Sequence, residues 1–161
     1  QLRRWPVVEA SRAAGTPEGM VAGQALDLAA ESRGVNDDEL ERIHHQKTGA
    51  LICATARCAT MIAAANDDEL AAVTDYAINL GLLFQITDDL LDVTATAEDL
   101  GKTPGKDARS CKATYPALYG IEVTRKTLSA VHRVTCEALV RIERPTPLLH
   151  SIADLILERQ A

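Results

Sequence analysis

The chain has 161 residues, enough for one domain around one core, and its formal charge of −6 argues against general nucleic-acid binding. Apolar residues make up 47 % of it and aromatics only 3 %, a composition that suits closely packed helices. No uninterrupted apolar run approaches the ~20 residues of a membrane span, so no transmembrane segment is expected.

No signal peptide is visible. The chain starts at Gln1 rather than Met, which leaves room for a preceding segment, an organelle-targeting one included. Cys53, Cys58, Cys111 and Cys136 form no CxxC pair. Cys53 and Cys58 lie about 140° apart round a helix and do not converge on one metal. Reduced thiols packed as small apolar residues are expected, which points to a cytoplasmic location.

Gln1 to Ala14 reads as a partly amphipathic segment, with Pro6 in the first turn of a helix. Gly15-Thr16-Pro17 breaks it, and a second helix is expected from Pro17 to about Ser32. Gly19 and Gly23, four apart, share a face on which another helix or a flat ligand can come close. Gln24 and Asp27 lie on a neighbouring stripe, where a polar cavity and a surface position fit equally.

After a turn at Arg33-Gly34-Val35, Asn36 is the expected N-cap of a helix that runs to about Ala65. Glu39 follows three residues later, and acids fill the first turn. Capping therefore accounts for Asp37, Asp38 and Glu41 better than a metal motif does. The helix carries His44 and Lys47 at i, i+3, with Thr48 one turn on from His44. Lys47 then leads into an alanine-rich apolar stretch, where a lysine either reaches outward to water or pairs with an anion.

Asn66-Asp67-Asp68-Glu69 repeats the capping signal and opens another helix. Its inward stripe is expected at Leu70, Val73, Ala77, Leu80, Phe84 and Leu91, and its end near Val93-Thr94. Beside that stripe run Gly81, Gln85, Asp88, Asp89 and Asp92. At ~100° per residue the glutamine and the three aspartates project within roughly a 100° arc. Three like charges so close destabilise a bare helix. A cation resolves the conflict, and carboxylate oxygens are hard ligands suited to Mg2+. A solvated acidic face near the helix end is the competing reading.

A polar connector from Gly101 to Lys112 holds Lys102, Lys106, Arg109 and Lys112 against the single acid Asp107. A basic loop following an acidic cluster fits a phosphate-bearing ligand, held by metal on one side and lysines on the other; charge compensation of neighbouring acids fits as well. Thr114 to Gly120 reads as a short helix stopped by Gly120. Ile121 to Arg144 reads as a helix with Leu128, Val131, Val134, Leu139 and Ile142 inward and His132 on the surface. Past Pro145-Thr146-Pro147, a last amphipathic helix from Leu148 to Glu158 has Leu149, Ile152, Leu155 and Ile156 on its apolar face. No strand pattern is present.

Four ordered pieces carry a resemblance: Lys47-Thr48, Phe84 to Val93, Leu100 to Asp107, and Lys112 to Pro116. Together they resemble the C-terminal half of the trans-isoprenyl diphosphate synthases, the polyprenyl synthetase family that includes farnesyl and geranylgeranyl diphosphate synthases. The resemblance covers essentially residues 1–161 as one helical domain. It implies an all-α isoprenoid-synthase bundle, here truncated at its N-terminal side, usually assembled as a homodimer. It implies a Mg2+-dependent prenyltransferase of isoprenoid biosynthesis: an allylic prenyl diphosphate ionises, isopentenyl diphosphate attacks, and a proton is lost.

By the same resemblance, Asp88 is the principal metal ligand, with Asp89 and Asp92 assisting directly or through water. Lys47, Lys102 and Lys112 hold the allylic diphosphate. Thr48 and Gln85 line the reacting carbons and direct oxygen dipoles at developing positive charge. Lys106 and Asp107 match a loop that closes over the site. The family's earlier aspartate-rich motif is not in these residues, so the 161-residue chain alone is expected to be inactive or nearly so. A non-catalytic prenyltransferase-like subunit or an inactive fragment is the alternative reading.

Overall fold

Two asparagine caps start two of the principal helices. The computed structural model describes residues 6–30, 33, 35–99 and 114–159. The Asn36 side chain accepts the Glu39 backbone N–H at 2.9 Å. At Asn66 the exchange is reciprocal: its side chain accepts the Glu69 N–H at 2.8 Å, and its own N–H donates to Glu69 Oε2 at 3.3 Å. The elements are α1 (Pro6–Ala14), α2 (Met20–Ala30), α3 (Asp37–His44), a π-helical turn (His45–Gly49), α4 (Ala50–Ile62), α5 (Asp67–Asp99), α6 (Tyr115–Tyr119), α7 (Ile121–Leu139) and α8 (Pro147–Glu158). Among the described residues there is no strand.

α5 is the axis of the bundle. It packs most extensively on α7 and α4 and also meets the π turn, α8, α6 and α3. Its buried stripe is Tyr76, Ala77, Leu80, Leu83, Ile86 and Leu90, joined by Leu128 and Leu139 of α7 and Ala153 and Ile156 of α8. Leu70, Ala77 and Leu80 are core residues as the spacing predicts. Phe84 packs against this core and at the same time borders a pocket, and the half-buried Leu91 borders the same pocket, because the fully buried face centres on Leu83 and Ile86. Tyr76 Oη donates to the Leu149 carbonyl at 2.8 Å and fastens α5 to α8. Burial pushes the Tyr76 phenol up to about 12, so it stays a neutral donor.

Several boundaries differ from expectation. α5 continues past Thr94 to Asp99, since Ala95 and Ala97 favour helix and no glycine or proline stops it. Asp88, Asp89 and Asp92 therefore lie within the helix rather than at its end. Asp67–Thr94 also reaches membrane-span length, with a mean hydropathy of 1.3 over its most apolar 18 residues, although acidic residues interrupt the segment. Half of those 18 residues are buried among the other helices.

α2 begins at Met20 rather than Pro17, and Gly19 just before it packs closely in the α1–α2 corner, where a Cβ would lie 2.3 Å from the Arg12 carbonyl oxygen. α7 closes at Leu139, where Val140 N–H to Glu137 O (3.2 Å) and Ile142 N–H to Leu139 O (3.0 Å) tighten the chain into turns before Pro145. Val134, Ile152 and Leu155, expected inward, are exposed.

The Asn36 helix stays helical to Ile62 but changes its winding part-way. The five-residue π turn His45–Gly49 separates α3 from α4. It is wedged between glycines: a Cβ on Gly23 would lie 2.2 Å from the Lys47 backbone nitrogen, and one on Gly81 would lie 2.9 Å from Gly49 Cα. Of the two readings of Gly19 and Gly23, close packing of backbone on backbone is the observed one. Gly23→Ala forces the π turn off α2 and is expected to cost about 1–3 kcal/mol of stability in urea unfolding. Unchanged stability would contradict this contact.

Candidate functional site

The π turn and α5 face each other across a cavity of about 460 Å³. Lys47 and Thr48 form one wall. Phe84, Gln85, Asp88, Asp89 and Asp92 form the other, and Arg159, just past α8, closes one side. The turn matters here: its wider winding displaces Lys47 and Thr48 from a regular helical course, and π-type insertions recur at functional sites.

The three aspartates are not equivalent. Asp89 is 8 % exposed, and its Oδ2 accepts the Tyr115 backbone N–H at 2.9 Å. His44 Nε2 lies 3.8 Å from the same oxygen, and the His44 ring stacks on Tyr115 at 5.8 Å between centroids. Asp89 thus ties α5 to the first residue of α6 while its side chain borders the cavity. Burial, with Glu41 next, holds the Tyr115 phenol well above its usual range, so Tyr115 is neutral beside this carboxylate. Asp88 is half-buried, with Oδ1 3.3 Å from Arg159 Nη1. Asp92 is exposed at the rim.

Lys47 is anchored by an anion rather than reaching out to water. Its Nζ donates to Asp27 Oδ2 at 2.6 Å, with both side chains largely shielded. Gln24, the other polar residue of that stripe, is exposed. Arg159 also lies over the Phe84 ring, 5.4 Å from its centroid. A cation already stands beside Asp88, as the crowding of carboxylates on one face requires.

Six of the expected site residues therefore meet at one cavity: Lys47, Thr48, Gln85, Asp88, Asp89 and Asp92. Lys102, Lys106, Asp107 and Lys112 lie outside the described residues. Arg159, Asp27 as the anchor of Lys47, and His44 as a neighbour of Asp89 escaped the sequence reading in these roles. Only Asp27 had a signal, its spacing from Gln24. At the other acidic cluster, Asn36 caps α3 and a hydrogen bond with Asp37 helps push the Tyr119 phenol up to about 12, which leaves capping and packing as its use.

The sequence profile of the family described as Polyprenyl synthetase matches residues 9–141. The chain belongs to the polyprenyl synthetase family. It is 40 % identical over 159 residues to heterodimeric geranylgeranyl pyrophosphate synthase large subunit 1, chloroplastic, of Arabidopsis thaliana, an alignment covering 96 % of this chain and 42 % of the relative. An FPP/GFPP synthase from Zymomonas mobilis superposes with a TM-score of 0.74 at 32 % identity, covering 89 % of this chain and 47 % of that one. The geranyltransferase of Helicobacter pylori, solved in complex with magnesium and isoprenyl diphosphate, gives a TM-score of 0.74 at 28 % identity over 95 % of this chain and 50 % of its own. The polyprenyl synthetase chain described here thus spans about half the length of these relatives, or less. Its all-α fold is that of the prenyltransferases it matches.

Because Asp89 holds a buried backbone donor, Asp89→Ala in this family member leaves the Tyr115 N–H unpaired and is expected to cost about 1–3 kcal/mol. Asp92→Ala, at an exposed position, is expected to stay within about 0.5 kcal/mol. Equal effects in thermal unfolding would contradict the asymmetry.

Proposed function

We propose that the protein works in a trans-prenyl diphosphate synthase, a transferase that condenses an allylic prenyl diphosphate with isopentenyl diphosphate, and that residues 1–161 act as its C-terminal helical domain. The observation that carries this reading is the cavity itself, with Lys47 and Thr48 on one wall and Gln85, Asp88 and Asp92 on the other. Membership of the family and the likeness to a geranyltransferase complexed with magnesium and isoprenyl diphosphate support it.

Magnesium fits the residues present. The wall supplied by α5 offers carboxylate oxygens in a polar cavity, which is the donor set a hard divalent cation takes. Asp88 and Asp92 would hold it, with Asp89 steadied by Tyr115 behind them. When bound, magnesium neutralises charge that builds on the diphosphate as it leaves.

The chain's own groups complete the arrangement. Lys47, fixed in position by Asp27, directs its ammonium at the diphosphate through charge-assisted hydrogen bonds. Arg159, paired with Asp88, is placed to pass to the phosphate oxygens when a metal takes the carboxylate. The Thr48 hydroxyl and the Gln85 amide oxygen orient dipoles toward the allylic carbon, where positive charge develops. Phe84 and Leu91 keep water from that carbon. Lys102, Lys106 and Lys112 join the phosphate-binding set on the resemblance alone.

A second copy completes the assembly as a homodimer; a different partner subunit is the alternative, suggested by the relative named as a heterodimeric large subunit. A reducing compartment fits the thiols, either the cytoplasm or an organelle, the latter suggested by that relative's chloroplastic name.

In the complete protein, Asp88→Ala is expected to abolish Mg2+-dependent binding of an allylic diphosphate in calorimetry. Lys47→Ala is expected to weaken it by about 1.5–3 kcal/mol, the range for hydrogen bonds to charged groups. Unchanged Mg2+-dependent binding in Asp88→Ala would overturn the assignment.

A further inference from the structure

Outside the diphosphate pocket, three side chains of different chemistry converge where α8 crosses α7. His132 and Cys136 lie one helical turn apart on α7, and Asp154 comes from α8. His132 Nε2 is 2.8 Å from Asp154 Oδ1 and 3.7 Å from Cys136 Sγ, and the three ligand atoms all lie within 4.8 Å of one another. Among the described residues this is the one group of three or more His, Cys, Asp or Glu side chains with that convergence.

A Cys-His-Asp set invites a nucleophilic reading, but the geometry opposes it. In such a relay the imidazole uses one ring nitrogen toward the carboxylate and the other toward the thiol. Here a single nitrogen, Nε2, faces both. Burial, with the Asp154 carboxylate next, also pushes the Cys136 thiol up, away from a ready thiolate.

One nitrogen, one sulfur and one oxygen gathered around a common point is instead the arrangement of a metal site. Tetrahedral zinc with Zn–N and Zn–O near 2.0–2.2 Å and Zn–S near 2.3 Å separates its ligand atoms by about 3.3–3.6 Å. The Nε2–Sγ distance of 3.7 Å must close by about 0.1 Å and the Nε2–Oδ1 hydrogen bond must open by roughly 0.5 Å to reach that range, with the Cys136 and Asp154 ligand atoms already within 4.8 Å of each other. We propose that His132, Cys136 and Asp154 form a zinc-class transition-metal site that clamps α8 onto α7. The ligands exclude magnesium as the preferred ion, since thiolate and imidazole favour softer metals. The Asp154 side chain is 55 % exposed, leaving an open side where water completes the tetrahedron. Binding displaces the Cys136 thiol proton to solvent, and the His132 ring proton moves from Nε2 to Nδ1, so the imidazole ligates as a neutral group. None of the three residues lines the carboxylate cavity, so this site stands or falls independently of the proposed prenyl transfer. Its structural consequence is a cross-link on the helix that leads to Arg159.

The test uses the purified protein, freed of metal by a chelator and titrated with Co2+ in excess Mg2+ to occupy carboxylate-only sites. One Co2+ per chain is expected, with a thiolate-to-cobalt charge-transfer band and intense tetrahedral d–d bands that Zn2+ abolishes. Cys136→Ser is expected to remove the charge-transfer band, and Cys53→Ser to keep it. Loss of an outer-shell partner alone weakens metal sites roughly 10–100-fold, so Asp154→Asn, at an exposed position compatible with folding, should weaken binding at least about tenfold. Zn2+ should raise the unfolding midpoint of the native protein and not that of Asp154→Asn. Absence of the band in the native protein, its survival in Cys136→Ser, or unchanged affinity in Asp154→Asn would overturn the proposal.

Discussion

The π turn His45–Gly49 faces Asp88 across a cavity because glycines on its neighbours let backbone touch backbone. Gly23 of α2 meets the Lys47 peptide on one side, and Gly81 of α5 meets Gly49 on the other. Any side chain at these points would push the turn outward and carry Lys47 and Thr48 away from Gln85 and the aspartates. The spacing of the two walls is therefore set by hard-core contact, which does not yield gradually, and not by the flexible side chains that line the cavity. Asp27 then fixes the direction of Lys47 on a backbone already held in position.

The same division between holding and reacting runs along α5. Three carboxylates on one helical face repel one another, and the fold answers with a different neighbour for each depth. Asp89, the deepest, accepts a backbone N–H from α6 beside His44. Asp88 meets Arg159 from the far end of the chain. Asp92 lies exposed at the rim. The graded exposure gives a cation arriving from solvent two outer carboxylates and a rigid one behind them. Arg159 keeps Asp88 partnered in the absence of such a cation, while its stacking on Phe84 keeps the guanidinium at the cavity edge.

Features governed by local chemistry were legible in the sequence. Both asparagine caps, the Gly120 stop, the four-apart glycines and the arc shared by Gln85, Asp88, Asp89 and Asp92 depend only on neighbours within a turn or two. Features imposed by distant contact were not. His45 to Gly49 has no residue that forbids an ordinary helix, and the close backbone approaches of α2 and α5 to the π turn come from residues far away in the chain. At Leu91 the apolar spacing predicts an inward position while the side chain borders the cavity, since spacing does not distinguish a core face from the apolar edge of a polar cavity. Arg159 beside Asp88 brings together residues 71 apart in sequence, and nothing near either one announces the other. The exposed Val134, Ile152 and Leu155 follow the helical period that predicts burial, yet no described element covers them.

A crystal structure of the complete protein with Mg2+ and a non-hydrolysable allylic diphosphate analogue tests most directly whether the cavity between the π turn and α5 receives the diphosphate. The predicted result is a diphosphate between Lys47 and a Mg2+ held by Asp88 and Asp92, with Arg159 released from Asp88 and Asp89 still bonded to the Tyr115 N–H. A diphosphate bound elsewhere, or one bound with the Asp88–Arg159 pair intact and no metal on α5, would contradict it.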